Sequence, residues 1–145
     1  MSRLRVESLR WLNTRMSAYT IKTLADVPDV LGEYPGEMQY FTPELGNEQV
    51  ALTYRRMPQH TGGKGSYGHF HKTQEEVYFV LSGKLQFKLG DEVIEVERGG
   101  AVRCAPECVR TVWNDEPEDA ELLIVSTRIE DVSTDAVSVP DFWPD

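Results

Sequence analysis

His69 and His71, one residue apart and followed by Glu76, carry the most chemistry in their spacing of any residues in this chain. Side chains alternate along a strand, so the two imidazoles point to one side and share one space. Glu76 lies at an odd offset from His71 and would face the opposite way on an unbroken strand. The polar Lys72-Thr73-Gln74-Glu75 segment can turn the chain, letting Glu76 meet both rings from the next strand. Two neutral imidazoles and one carboxylate form the facial donor set of non-haem iron, which manganese, zinc, nickel or copper also accept. The expectation is a divalent transition metal held by His69, His71 and Glu76, its identity open. A His-x-His pair alone also occurs at the polar end of a hairpin, so the glutamate decides between the readings.

Tyr78 lies two residues beyond Glu76 and shares its face. Its hydroxyl could bond a ligand or a metal-bound water and assist proton movement, which makes it the candidate catalytic residue; the competing reading is a core tyrosine with a satisfied hydroxyl. His60, among proline, glutamine and glycine, reads as a loop histidine. Cys104 and Cys108 form a lone Cys-x3-Cys pair without the second pair of a structural zinc site, and they read as packing thiols in a reducing, cytoplasmic interior.

Such residues need elements to hold them. From about residue 50 the apolar pattern has period two: VALTYRRM (50 to 57), EVYFVL (76 to 81), KLQFKL (84 to 89), VIEV (93 to 96), AVRC (101 to 104), VRTVWN (109 to 114) and ELLIVSTR (121 to 128), separated by SG, GDE, RGG, APE and NDEPED turns. With the GHFH segment this predicts about eight strands, and it leaves no room after residue 50 for a helix of normal length. Leu85, Phe87 and Leu89 alternate with Lys84, Gln86 and Lys88, one face toward a core and one toward water. A closed or nearly closed antiparallel barrel follows. The acidic tail DVSTDAVSVPDFWPD is expected to cross the surface as an extended strap anchored by Phe142 and Trp143, on this chain or on a neighbouring subunit.

The 145 residues suffice for one core without disulfide or zinc staples. A formal net charge of −9, with no basic face, argues against nucleic acid and anionic lipid, and no apolar run approaches the roughly 20 residues of a membrane span. Residues 1 to 15 stand apart, with four arginines against one glutamate. Leu4, Leu9, Leu12 and Met16 permit a short amphipathic helix there; a frayed terminal arm, an organelle-targeting start and an over-extended start before Met16 are the other readings. The expected organisation is an N-terminal arm, 1–15, and one barrel domain, 16–145, pairing as a homodimer to protect its edge strands.

At this point the sequence resembles the cupins. Their first motif, G-x5-H-x-H-x3–4-E-x6-G, is met by Gly63, His69, His71, Glu76 and Gly83. The resemblance covers roughly residues 45 to 128 and implies an all-β, single-domain jelly-roll barrel. The second motif, G-x5-P-x-G-x2-H-x3-N, is met only at Gly99 and Asn114: Ala105 stands for proline, Glu107 for glycine, and Arg110 for the histidine that is the family's fourth metal ligand. Pro106 is one residue out of register, and a slipped turn would make Thr111 the counterpart instead. Arginine has no lone pair to give, so Arg110 is not a ligand. Two outcomes are expected: Arg110 pairs with Glu76 and the barrel binds a small molecule without metal, or Arg110 leans aside and forks onto the carboxylate or phosphate of a substrate. The resemblance implies oxygenase- or isomerase-like chemistry on a small anionic molecule in the metal-bound case.

Overall fold

Short alternating runs with turn residues between them build eleven strands in this computed structural model, which describes residues 18–145. The expected arm at residues 1–15 and its helix lie outside the described residues. The strands are β1 (Glu37–Tyr40), β2 (Val50–Met57), β3 (Thr61–Gly62), β4 (Ser66–His71), β5 (Glu76–Ser82), β6 (Lys84–Leu89), β7 (Glu92–Glu97), β8 (Ala101–Cys104), β9 (Arg110–Asn114), β10 (Ala120–Thr127) and β11 (Ala136–Trp143). Two sheets face each other, with strand orders β1-β2-β10-β5-β8 and β11-β4-β9-β6-β7, and β3 adds to β9. Every strand pairing is antiparallel. The all-β jelly-roll expectation is met.

The inner faces are those the alternation assigns. Val80, Leu85, Phe87 and Leu122 are fully buried, joined by Met57, Val112 and Tyr78, whose ring meets Phe87 edge-on at 5.6 Å between centroids. Burying side chains of this size stabilises by about 1.5–3 kcal/mol each, before the entropy of ordering them. Tyr78 joins this core to the buried Glu76 and Arg110 through its hydroxyl.

Two motif glycines have steric causes. A Cβ at Gly63 would lie 2.7 Å from the Tyr67 carbonyl oxygen and would also strike the Thr111 side chain. Gly83 turns β5 into β6 with φ +76°, and a Cβ there would lie 2.9 Å from the Ala120 backbone.

The tail differs from the expected surface strap. Residues 136–143 form β11 and pair with β4, Ala136 opposite His71 and Ser138 opposite His69. The register breaks between Val139 and Trp143, around Pro140, which has no N–H to give a ladder, and Asp141, whose φ is +56°. The β-branched Val137 and Val139 carry the pairing before the break. Trp143 is buried at 8% exposure in this chain, its carbonyl accepting from Gly65 N–H at 2.6 Å. Before β11, residues 132–135 make a single helical turn whose N-cap, Asp131, accepts from Ser133 N–H.

Candidate metal centre

β4 supplies His69 and His71 to the barrel interior, β5 supplies Glu76 and Tyr78, and β9 supplies Arg110, which sits directly opposite His69 in the β4–β9 pairing. The 72–75 segment bends between β4 and β5, so the odd offset of Glu76 becomes an inward position on the next strand. His71 Nε2 lies 3.2 Å and His69 Nε2 3.5 Å from the same oxygen, Glu76 Oε1. The three candidate ligand atoms fall within 4.8 Å of one another. Metal bonds of roughly 2.1 Å at right angles put neighbouring ligands roughly 3 Å apart, so this spacing suits one ion on three sides.

His71 is 4% exposed and His69 is part-exposed, so the group opens toward solvent on the His69 side. Burial pushes the His71 pKa down against the pull of Glu76, leaving the ring neutral. Its Nδ1 lies 3.1 Å from Asp135 Oδ2. A neutral ring donating Nδ1–H to that carboxylate presents a bare lone pair at Nε2, facing a carboxylate oxygen, an arrangement that a cation between them resolves. The donor set therefore fits a divalent ion.

Asp135 was not foreseen from the sequence. Its carboxylate also accepts from the backbone N–H of Thr73 and Gln74 at 3.0 and 3.1 Å and from the Thr73 hydroxyl at 2.6 Å. It pins the bend that separates the ligands on β4 from Glu76. Burial opposes its charge, but the Thr73, Gln74 and His71 contacts hold its pKa below the usual carboxylate value.

Arg110 is 1% exposed and its guanidinium is engaged within the fold. Nη2 donates to Glu76 Oε1 at 2.7 Å, Nη1 to the Pro106 and Cys108 carbonyls at 3.1 and 2.8 Å, and Nε to the Tyr78 hydroxyl at 3.4 Å. The fork expected for a substrate is thus taken by protein acceptors, and the pairing with Glu76 is the arrangement found. The turn has not slipped: Arg110, not Thr111, faces Glu76, and the Thr111 side chain packs toward Gly63. Burial works against the charge of Arg110, yet Tyr78 and Glu76 keep its pKa above the ordinary value.

Burial would raise the Glu76 pKa, but hydrogen bonds from His69 and Arg110 and the charge of Arg110 bring it down to about 2. The Tyr78 hydroxyl donates to Glu76 Oε1 at 3.0 Å, and burial with the Glu76 charge drives its pKa up, so it holds its proton. His60 lies in a turn, stacked on Trp113 at 6.0 Å. Cys104 and Cys108 are free thiols, and burial pushes Cys104 up to about 12. The centre opens into a cavity of about 370 Å³ lined by His69, Tyr78, Arg110 and Arg55, with the exposed Tyr34 and Tyr67 at its mouth.

The cupin domain family matches residues 56–126. No curated protein matches the chain. Among solved structures, a candidate sugar phosphate isomerase from Acidithiobacillus ferrooxidans superposes with a TM-score of 0.57 at 18% identity, over 74% of this chain and 64% of that one. The chain thus spans less than two thirds of that protein. A cupin protein from Bacteroides fragilis gives 0.61 at 22% identity, over 78% and 86%. A predicted oxalate decarboxylase from Thermotoga maritima gives 0.61 at 16% identity, over 76% and 100%. Identities this low speak for the fold, and they agree with the family match and with both sheets of the barrel: the chain belongs to the cupin superfamily.

Proposed function

We propose that this cupin binds a divalent transition metal through His69, His71 and Glu76 and acts on a small anionic molecule in the adjoining cavity, by oxygenase- or isomerase-like chemistry. The observation that carries the reading is the pairing of His71 Nδ1 with Asp135, which leaves Nε2 as a lone-pair donor beside Glu76 and His69. Iron, manganese, zinc, nickel and copper all suit the donor types, and the ion would supply Lewis-acid polarisation of a bound oxygen. Around the three ligands, Glu76 and Asp135 carry two negative charges against the one positive charge of Arg110, a local balance that favours a cation there. Tyr78 keeps its proton and offers it as a donor at Glu76 Oε1. Arg110 holds the Glu76 carboxylate in place rather than gripping substrate.

A second reading rests on the 2.7 Å contact of Arg110 with Glu76: the pair neutralises itself, and the barrel binds a small molecule without metal or turnover. Metal analysis of protein purified without added metal, followed by reconstitution with each of the five ions, separates the two. Near-stoichiometric uptake that is lost in His71→Ala supports the metal centre. Less than about a tenth of an equivalent, with no gain on reconstitution, leaves the metal-free barrel. Among the described residues no helix is long and apolar enough to cross a membrane. Homodimer formation through the sheet edges belongs to the same proposal.

A further inference from the structure

Arg55 stands on β2 at the same parity as the fully buried Met57, so its side chain enters the barrel, between Met38 of β1 and Leu122 of β10 in the sheet register. It lines the cavity that also receives His69, Tyr78 and Arg110. Its Nε is buried without a hydrogen-bond partner, and among the described residues no carboxylate pairs with its guanidinium. Among the other described arginines, Arg98 and Arg128 also lack an ion pair but are exposed, and the remaining three have acids. Arg56, its chain neighbour, faces outward and pairs with Glu37 and Asp119, Arg103 pairs with Glu75, and Arg110 with Glu76. In a chain with a formal charge of −9, an inward cation without an acid among the described residues suits a partner that comes from outside.

Around it the wall is largely apolar and aromatic, with Leu31, Met38, Phe87 and Ile124 inside and the Tyr34 and Tyr67 rings at the mouth. A volume of about 370 Å³ admits a molecule at the small end of the usual ligand range. A planar guanidinium matches a planar carboxylate through two parallel hydrogen bonds. We infer that Arg55 is the anion anchor of this cavity, and that it takes a small carboxylate with an apolar body, reaching from Arg55 toward the His69, His71 and Glu76 face. Only the second end of that placement rests on the metal reading proposed above.

The test is calorimetric titration of the full chain, with and without Mn²⁺, using benzoate as probe, benzamide as its neutral counterpart and inorganic phosphate as the competing anion. Benzoate is expected to bind at least tenfold more tightly than benzamide, and Arg55→Gln to weaken benzoate at least tenfold while Mn²⁺ stoichiometry is unchanged. Benzoate binding that survives Arg55→Gln, benzamide that binds as well as benzoate, or phosphate that displaces benzoate at lower concentration would each overturn the inference. Arg55→Met guards against a purely structural role: removing an unpaired inward charge should raise the thermal midpoint of the ligand-free protein, whereas a lowered midpoint would assign Arg55 to the scaffold and overturn the anchor. Benzoate binding that depends on Arg55 in a chain that takes up none of the five ions upholds the anchor and defeats the metal reading alone.

Discussion

Replacing Asp135 tests whether the second nitrogen of His71 is set from outside the barrel. The carboxylate, 7% exposed, accepts from His71 Nδ1, two backbone N–H groups and the Thr73 hydroxyl. Hydrogen bonds to a charged group contribute about 1.5–3 kcal/mol each, and deleting a shared acceptor costs less than their sum. Asp135→Ala should therefore destabilise the metal-free protein by about 3–4 kcal/mol. Asp135→Asn keeps the shape but has one acceptor oxygen where the carboxylate had two. In either amide orientation a backbone N–H, of Thr73 or of Gln74, meets an amide NH₂, for a loss of about 1.5–3 kcal/mol. When that NH₂ faces His71, the ring does better with its proton on Nε2, which converts the inward lone pair into a donor. Metal affinity should fall about ten- to hundredfold, the range seen when a partner of a ligating histidine is removed. Urea denaturation reads the stability, isothermal titration with Mn²⁺ or Zn²⁺ reads the affinity, and ¹⁵N NMR of the imidazole reads the tautomer in metal-free protein. Wild-type affinity and an unchanged Nδ1–H tautomer in Asp135→Asn would refute the reasoning, however much stability was lost.

Two further outcomes are expected. Arg110→Met should destabilise metal-free protein by about 3 kcal/mol, because Glu76 keeps its buried charge without its cation, and added Zn²⁺ should raise the thermal midpoint more than in wild type; a metal-free variant as stable as wild type would remove the pairing from the account. Cys104, 1% exposed and held protonated by a pKa of about 12, should resist iodoacetamide at pH 8.5 while the part-exposed Cys108 is alkylated, as mass spectrometry of the native protein would read; equal labelling of both would contradict the buried-thiol assignment.

Much of the fold was legible because burial on one face writes itself as period two. β2, β6 and β8 have the limits the alternation predicted, and β5, β7, β9 and β10 differ at their ends by a residue or so. β1 and β3 escaped because four and two residues carry too little pattern, and β11 because Pro140 and Asp141 interrupt a short valine alternation. Within the site, His69, His71, Glu76 and Tyr78 could be assigned a face from the strand pattern and the polar bend. The orientation of Arg110 could not, since a one-residue slip of the 105–110 turn would have exchanged it with Thr111. Asp135 left no local signal: its partners lie more than 60 positions away in the chain. Arg55 did leave one, an arginine in phase with Met57 on VALTYRRM, where the inward parity conflicts with the charge.

The grip of Asp135 on the bend after β4 also sets an order of events during synthesis. His69, His71 and Glu76 leave the ribosome about sixty residues ahead of the acid that steadies them. Until then the acid that faces His71 Nδ1 is missing, and β4 lacks the neighbour that covers its outer edge. Non-local pairing of this kind forms late. On the proposed metal reading, ion capture in the arrangement described would belong to the finished barrel rather than to the nascent chain, and the metal taken would be the one available where folding ends.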